Sequence, residues 1–410
     1  MKVLYFHQYF STPAGTTGIR SYWMARKLMD EGHDVTIVCG SFTSADTGLY
    51  GPFKRGLRRG LSGNLKIIEV EIDYSNSDPL YNRALKFLRY CFRATVLALK
   101  EDYDLLFATT TPLTAGIPGI FGRWFRKKPF VFEVRDLWPE LPKAMGVIKN
   151  PIVLWGLSFL EWSCYRSADH LIALSPGIAD GIAKRGVDRR KITLVPNGCD
   201  LTIFSPDVKS SRPPQINPSD FVAIFAGTHG VANGLDAVLE AAMVLKSRGR
   251  QDIKFLLVGD GQLKDGLRNK AKSERLDNVV FHDPVPKGKL AGLMAGADIG
   301  LQVLKNVSAF YYGTSPNKFF DYISSGLPVL NNYPGWVADL ITANDCGYVA
   351  VPDDPVSFAD KLEEAAGDHR ALLRKGSSSL KLAEQQFSRA NLATLWVDVL
   401  EEVHKLSDNK

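Results

Sequence analysis

Two runs of alternating strand and helix, parted by a proline-rich break, constrain this chain more than any other feature. Lys2 to His7 reads as a short apolar strand. Gly15-Thr-Thr-Gly18-Ile-Arg20 reads as a loop, Ser21 to Glu31 as a helix and Val35 to Cys39 as a second strand. This β-loop-α-β unit is how a doubly wound α/β sheet begins. Further strands are expected at Leu65–Ile72, Leu105–Thr109, Phe130–Arg135 and Ala168–Leu174. Ser41 to Asn64 reads as one long loop. Between Phe204 and Asp220, Pro206, Pro213, Pro214 and Pro218 break the composition. The rhythm then restarts at Phe221–Ala226, Ile253–Val258 and Asp298–Val303. The expectation is two Rossmann-like domains, residues 1–204 and 205–387, with a helix over 388–410 packing back on the first. Neither first loop is G-x-G-x-x-G, which argues against a dinucleotide-dependent oxidoreductase.

The chain has 410 residues, enough for two or three domains. A formal charge of +6 suits anionic substrates or an acidic membrane surface, and is too small to point to nucleic acid. The five cysteines are scattered with no C-x-x-C pair, as in a reduced compartment. No signal peptide is expected before the first strand, and no run of about 18 apolar residues occurs. A cytoplasmic protein without a membrane span is expected.

The most chemically suggestive stretch runs from Gly313 to Asn331. Thr314, Ser315 and Pro316 lead into a short helix that carries Lys318 and Asp321 on one face. Thr314 or Ser315 is the expected cap, with Pro316 in the first turn. A helix N-terminus offers free N–H groups and about half a positive charge, and Lys318 adds a whole one. Asp321 is placed to accept hydrogen bonds from vicinal hydroxyls. A nucleoside diphosphate with its ribose satisfies all three. The alternative is an ordinary capped helix with Lys318 and Asp321 as a solvated ion pair.

The first half carries two basic, aromatic-bearing segments. Leu80 to Lys100 reads as an amphipathic helix with Leu85, Leu88, Phe92, Val96 and Leu99 as its apolar stripe, and with Arg89 and Arg93 among its cations. Arg123, Trp124, Arg126 and Lys127 form the second cluster. Such helices lie on anionic membranes, although a core-facing stripe with solvated charges outside gives the same pattern. Salt-sensitive binding to anionic vesicles is the expectation. Ile152 to Trp162 is too short to span a bilayer and reads as a buried or interfacial helix.

Several motifs, each weak alone, fall in a telling order. They are Gly15-Thr-Thr-Gly18-Ile-Arg20-Ser-Tyr, Asp136-Leu-Trp-Pro-Glu140, Val195-Pro-Asn-Gly-Cys-Asp200, Gly227-Thr-His-Gly230, Val258-Gly-Asp-Gly261, Ser315-Pro-Asn-Lys-Phe-Phe-Asp321 and Ser325-Gly-Leu-Pro-Val329. Together they resemble glycosyltransferase family four, and within it the WbuB-like branch of O-antigen and capsule polysaccharide transferases. The resemblance implies a GT-B fold, two Rossmann-like domains facing across a cleft. It also implies a UDP-sugar donor held mainly by the second domain and an acceptor held by the first. Asp321 matches the second acid of the family's Glu-x7-Glu motif, which binds ribose, while the first acid falls at Gly313. The family's diphosphate-binding Arg and Lys fall at Thr228 and Asn233, so Lys318 and the backbone N–H groups of Ser315 and Asn317 would replace them. The family's first-domain His falls at Arg135, read as a cation near the sugar or leaving phosphate. Val285 matches a position whose backbone reads the base. Gly15, Gly18, Gly227, Thr228, His229, Asn233, Gly259 and Thr314 complete the expected nucleotide-sugar site.

The implied reaction is retaining transfer of a sugar, an N-acetylated amino or deoxy sugar, to a polyprenyl-diphosphate-linked saccharide at the inner face of the plasma membrane. Catalysis is assigned to Lys318, Arg135 and Asp136. Arg20, Glu133 and Glu140 are placed on the acceptor side. No D-x-D motif sits in a suitable loop and no His/Cys cluster has ligand spacing, so no cofactor and no metal are expected. A soluble acceptor is an alternative. So is a catalytically silent, membrane-associated partner of another transferase, given the departures at Gly313, Thr228 and Asn233.

Overall fold

The computed structural model describes residues 1–15, 19–42, 45–74 and 80–408. Gly18, one of the expected nucleotide-site glycines, lies outside the described residues. The chain forms two compact units. One comprises Met1–Pro196 with Gly313–Ser315 and Ala390–Lys410; the other comprises Asn197–Tyr312 and Pro316–Arg389.

The first unit runs β1 (Lys2–Phe6), α1 (Arg20–Asp30), β2 (Asp34–Phe42), β3 (Leu57–Ser62), β4 (Leu65–Tyr74), α2 (Leu80–Lys100) and β5 (Leu105–Thr109). It continues through α3 (Ile117–Phe125), β6 (Phe130–Val134), α4 (Glu140–Ala144), α5 (Pro151–Ser167), β7 (His170–Ala173), α6 (Pro176–Lys184) and β8 (Ile192–Leu194). Its sheet order is β3-β4-β2-β1-β5-β6-β7-β8. Strand order reverses at β1, where open α/β sheets leave a crevice at the carboxyl ends. β5 and β6 are buried along their whole length, as strands covered on both faces must be. One face is covered by α1 and the C-terminal helix, whose Trp396 packs on Tyr5 and Phe107 at 5.8 and 4.8 Å between ring centroids. The other face is covered through Tyr90 and Leu97 of α2, Cys164 of α5 and Ile178 of α6.

One expectation is corrected here. The segment expected as one long loop contains β3, which pairs antiparallel with β4 in register from Leu57↔Val70 to Ser62↔Leu65. The arginine and glycine content of this edge strand hid its alternation. The two readings of the α2 stripe are also decided, against the core-facing one. The core face of this helix is Tyr90, Ala94, Leu97 and Ala98, and the Tyr90 hydroxyl donates to the Val38 carbonyl at 2.8 Å. Leu85, Leu88, Phe92 and Leu99, the stripe that one reading turned inward, are exposed. At 100° per residue the two sets lie on opposite sides of the helix. Small residues at 94 and 98 let that side lie close on the sheet, so the larger leucines point away.

The second unit contains β9 (Phe221–Ala226), α7 (Asp236–Ser247), β10 (Ile253–Val258), α8 (Lys264–Ser273), β11 (Val279–His282), α9 (Lys287–Ala295) and β12 (Ile299–Gln302). It continues through α10 (Ser308–Tyr311), α11 (Asn317–Ser324), β13 (Val329–Asn331), α12 (Trp336–Ala343), β14 (Gly347–Val349), α13 (Pro355–Gly367) and α14 (His369–Gln386). The C-terminal helix α15 (Arg389–Asp408) follows. The sheet is wholly parallel, in the order β11-β10-β9-β12-β13-β14, and reverses at β9. α11 sits hard against β12: a Cβ on Gly300 would come 2.4 Å from the Tyr322 ring. The Tyr322 hydroxyl accepts from the Ala226 N–H at 3.0 Å, which ties α11 to the end of β9. Both units are thus α/β with doubly wound sheets, and the candidate residues gather at the carboxyl ends beside each reversal.

Candidate active site

In the second unit the loop after β9 and the loop after β10 meet backbone to backbone. A Cβ on Gly259 would come 1.9 Å from the Gly227 carbonyl oxygen, and one on Gly261 would come 2.6 Å from that of His229. Glycine is what permits this approach. The His229 N–H donates to the Asp260 carbonyl at 2.8 Å and the Leu263 N–H donates to the His229 carbonyl at 3.0 Å. His229 was expected to bind nucleotide. Instead its side chain is fully buried between Phe225 and Phe281, with neither ring nitrogen hydrogen-bonded. Burial holds the imidazole neutral, its pKa pushed down to about 4. It is a packing residue under the glycine loops.

Lys318 stands at the start of α11. Its ammonium donates to Asn233 Oδ1 at 2.6 Å and lies 4.8 Å from the centroid of the Phe225 ring. Asn233 Nδ2 donates in turn to the Thr228 carbonyl at 2.7 Å. Lys318 forms no salt bridge among the described residues, and burial pushes its pKa down to about 8. Asn233 is therefore the residue that aims this cation, at the position where the family pattern has a cation of its own. Pro316 is the N-cap of α11 and contributes no side-chain acceptor. Thr314 and Ser315, with Gly313, group with the first unit.

One turn on, Asp321 is half-buried; its carbonyl accepts from Ser325 Oγ at 3.0 Å, while its carboxylate accepts no hydrogen bond from the described residues. Burial raises its pKa, opposed by Lys287 and Arg389. Both cations escaped sequence reasoning. Lys287 opens α9 directly after Asp283-Pro-Val-Pro286, and Arg389 pairs with Asp200. Half-buried Val285 sits in a loop anchored where Lys264 donates to Asp283 at 2.7 Å.

In the first unit, Glu133 is fully buried at the carboxyl end of β6. Arg20 reaches its Oε2 from Nη2 at 2.8 Å and from Nε at 3.1 Å, while Arg135 Nε lies 3.2 Å from Oε1. Arg20 also donates to the carbonyls of Pro196 and Val195 at 2.5 and 2.9 Å. Burial alone would raise the Glu133 pKa, but Arg20 and then Arg135 outweigh it and hold the carboxyl below its ordinary value. The acceptor roles expected of Arg20 and Glu133 are corrected by this geometry. Both are buried and spent on one another, so they fix Arg135 rather than touch a ligand. Arg135 is half-buried, donates to Thr109 Oγ1 at 2.8 Å and Ser21 Oγ at 3.0 Å, and keeps Nη1 unspent among the described residues. Asp136 accepts from Thr111 Oγ1 at 3.0 Å, and burial raises its pKa. Glu140 is exposed at the start of α4. Gly15 lies in a loop tied to Asp46, where Thr12 N–H donates to the Asp46 carbonyl at 2.8 Å.

The expected membrane residues are mixed in character. Arg123 pairs with Asp169 at 3.0 Å, and Arg126 donates to the Leu99 carbonyl at 2.6 Å. Arg89 and Lys127 are exposed, Arg93 is half-buried, and the exposed Trp124 donates to Ser167 Oγ at 2.9 Å. No helix among the described residues is long and apolar enough to cross a membrane. Among the described residues the fold assembles one group with metal-ligand spacing that the sequence hid, Glu31, His33 and Glu401. Lys27 and Lys405 already neutralise its acids, at 2.8 and 3.1 Å.

Residues 15–198 match the model of the glycosyl transferase 4-like domain, and residues 220–368 that of glycosyl transferases group 1. D-inositol 3-phosphate glycosyltransferase of Pseudarthrobacter chlorophenolicus is 30% identical over 236 residues, 56% of this chain and 55% of that protein. Its namesake from Paenarthrobacter aurescens is 28% identical over 209 residues, 49% of this chain and 50% of that protein. The chain thus spans about half the length of the curated relatives it matches. Among solved structures, sucrose-phosphate synthase of Thermosynechococcus elongatus superposes with a TM-score of 0.76 at 14% identity, covering 99% of both chains. Anabaena HepE in complex with UDP-glucose superposes with a TM-score of 0.68 at 16% identity, covering 98% of this chain and all of that one. The fold is GT-B, with two Rossmann-like α/β domains.

Proposed function

This chain is built from two glycosyltransferase domains, and on that premise we propose that it is a retaining, metal-independent transferase of a UDP-linked sugar. The observation that carries the reading is the Lys318 ammonium, aimed by Asn233 at the N-terminus of α11 and in no salt bridge among the described residues. Breaking the anomeric C–O bond places charge on the departing diphosphate. A fixed cation and a helix N-terminus stabilise that charge without reorganising. Asp321 accepts from the ribose hydroxyls, and the backbone beside Val285 meets the base. Retention allows the acceptor hydroxyl to attack from the leaving-group side and pass its proton to a donor phosphate oxygen. Arg135, with a free Nη1, is the first-unit cation available to substrate, and Asp136 and Glu140 orient the acceptor.

The proposed donor is an N-acetylated amino or deoxy sugar, and the proposed acceptor a polyprenyl-diphosphate-linked saccharide in surface polysaccharide synthesis, as in the WbuB-like branch. Support for a lipid-linked acceptor comes from the exposed apolar and cationic residues of α2 and α3, which suit a protein peripheral on the inner membrane face. The curated relatives named for inositol phosphate favour a soluble acceptor as the second reading. The deciding experiment incubates purified protein with UDP-sugars in EDTA and follows UDP release with and without a short-chain polyprenyl-diphosphate saccharide. Acceptor-stimulated release supports the proposal. Stimulation by an inositol phosphate instead moves the second reading ahead, and no release from any donor contradicts both.

A further inference from the structure

Every exposed Trp and Phe among the described residues lies on three helices of the first unit, α2, α3 and α5. These helices pack side by side, α2 on α3 and α3 on α5. On α5, Trp155, Phe159 and Trp162 are exposed and stack in sequence, with ring centroids 6.2 and 5.9 Å apart. Their spacing of four and three residues puts them on one side of the helix, with Ile152. Trp155 is 72% exposed and Phe92 of α2 is 69% exposed, although large aromatics ordinarily supply core. α3 adds Trp124 and Phe125 between them. A patch of this composition on a water-facing surface calls for a partner.

Charge identifies the partner. α2 and α3 contain no acidic residue, and the one acid of α5, Glu161, is buried and paired with Arg185 at 2.6 Å. The cations lie at the flanks: Arg89 and Arg93 beside the α2 stripe, Lys127 past the end of α3, and Arg166 on the last turn of α5. Glu71 lies 3.9 Å from Arg89 and Asp169 pairs with Arg123, but Lys127 and Arg166 form no salt bridge among the described residues. An aromatic apolar centre with a mainly cationic border fits the interface of an anionic phospholipid bilayer, where tryptophan rings sit at headgroup depth.

We propose that the outer faces of α2, α3 and α5 form one monotopic insertion surface, with the Trp155-Phe159-Trp162 ladder as its principal apolar anchor. This rests on the reading of a membrane-borne acceptor but goes further. Apolar insertion survives salt, whereas attachment by charge alone does not.

The test is flotation of the full chain with phosphatidylcholine vesicles, with and without phosphatidylglycerol, at low salt and at about 1 M salt. The comparison is with a Trp155→Ser, Phe159→Ser, Trp162→Ser variant. All three side chains are exposed, so the variant should keep its circular dichroism and its UDP affinity. Wild type should bind anionic vesicles and retain part of that binding at high salt. The variant should lose that remainder and show a partition constant lower by roughly tenfold or more. Binding abolished by salt in wild type, or unchanged by the substitutions, overturns the proposal. So does a self-associating wild type that ignores vesicles and becomes monomeric in the variant, because a second copy of the chain is then the occupant. Loss of vesicle binding with UDP binding intact separates a failure of this surface from a failure of the transferase reading.

Discussion

Lys318 Nζ and Asn233 Oδ1 lie 2.6 Å apart, a half-buried ammonium held by a neutral amide where an ion pair would be the ordinary solution. The amide fixes the direction of the cation without neutralising it. An incoming diphosphate meets the whole charge, already stripped of much of its water.

Replacing Lys318 by Ala should therefore cost about 2–4 kcal/mol of transition-state stabilisation, the range for one lost electrostatic donor. It should appear in kcat for UDP-sugar turnover, with the unfolding midpoint little changed. Unchanged turnover in a folded variant removes Lys318 from the mechanism.

The same group predicts a pH dependence. Burial lowers the Lys318 pKa to about 8, so in the nucleotide-free protein the ammonium is present below that pH and lost above it. UDP affinity should decline as pH rises through about 8. Binding the diphosphate should be accompanied by proton uptake there, visible by calorimetry in buffers of different ionisation enthalpy. Lys318→Ala should flatten this profile.

Asn233→Asp tests the neutral partner. A carboxylate at 233 pairs with the ammonium and repels the diphosphate. UDP affinity should fall by at least about tenfold while uridine affinity stays within about twofold. Equal effects on UDP and uridine would mean that Asn233 shapes the loop rather than aiming the cation.

Asp321→Asn keeps the shape and one acceptor oxygen but removes the charge. Loss of a charged hydrogen bond to the ribose should weaken UDP by about 1.5–3 kcal/mol. The 2′-deoxy analogue should show a much smaller difference between wild type and variant. An identical loss with both nucleotides would remove Asp321 as the ribose reader.

Glu133→Gln should act on stability first. It leaves the guanidinium of Arg20 buried, and that of Arg135 half-buried, against a neutral amide, at a cost of about 3–5 kcal/mol in a denaturant titration. The pH sign follows from the lowered Glu133 pKa. In the unfolded chain the carboxyl titrates near its ordinary value, so the contribution is fully present above that value. It is lost as pH falls through the lower folded one. Wild type should be acid-labile in that range, and the variant should show less of this dependence.

The alternation of strand and helix was legible because both sheets are parallel apart from the β3–β4 edge and covered on two faces, which writes β5, β6, β9 and β10 as largely apolar runs. Lys318 and Asp321 were legible because proline, helix and glycine stop follow in order. The outward face of α2 was legible only as one of two readings. A helix with leucines on one side and tyrosine and alanines on the other has two apolar faces, and only the depth available over the sheet decides between them. Nor could sequence reveal that Arg20 and Glu133, 113 positions apart, consume each other. His229 misled because a histidine between glycines reads as exposed, while the close meeting of the two glycine loops buries it.

Calorimetric titration of the full chain with UDP, GDP, ADP and TDP in EDTA, on wild type and Lys318→Ala, tests the central claim most directly. The account predicts saturable, metal-independent binding of UDP over the other three, weakened in the variant. Wild type that binds none of the four, or UDP binding indifferent to Lys318, would contradict it.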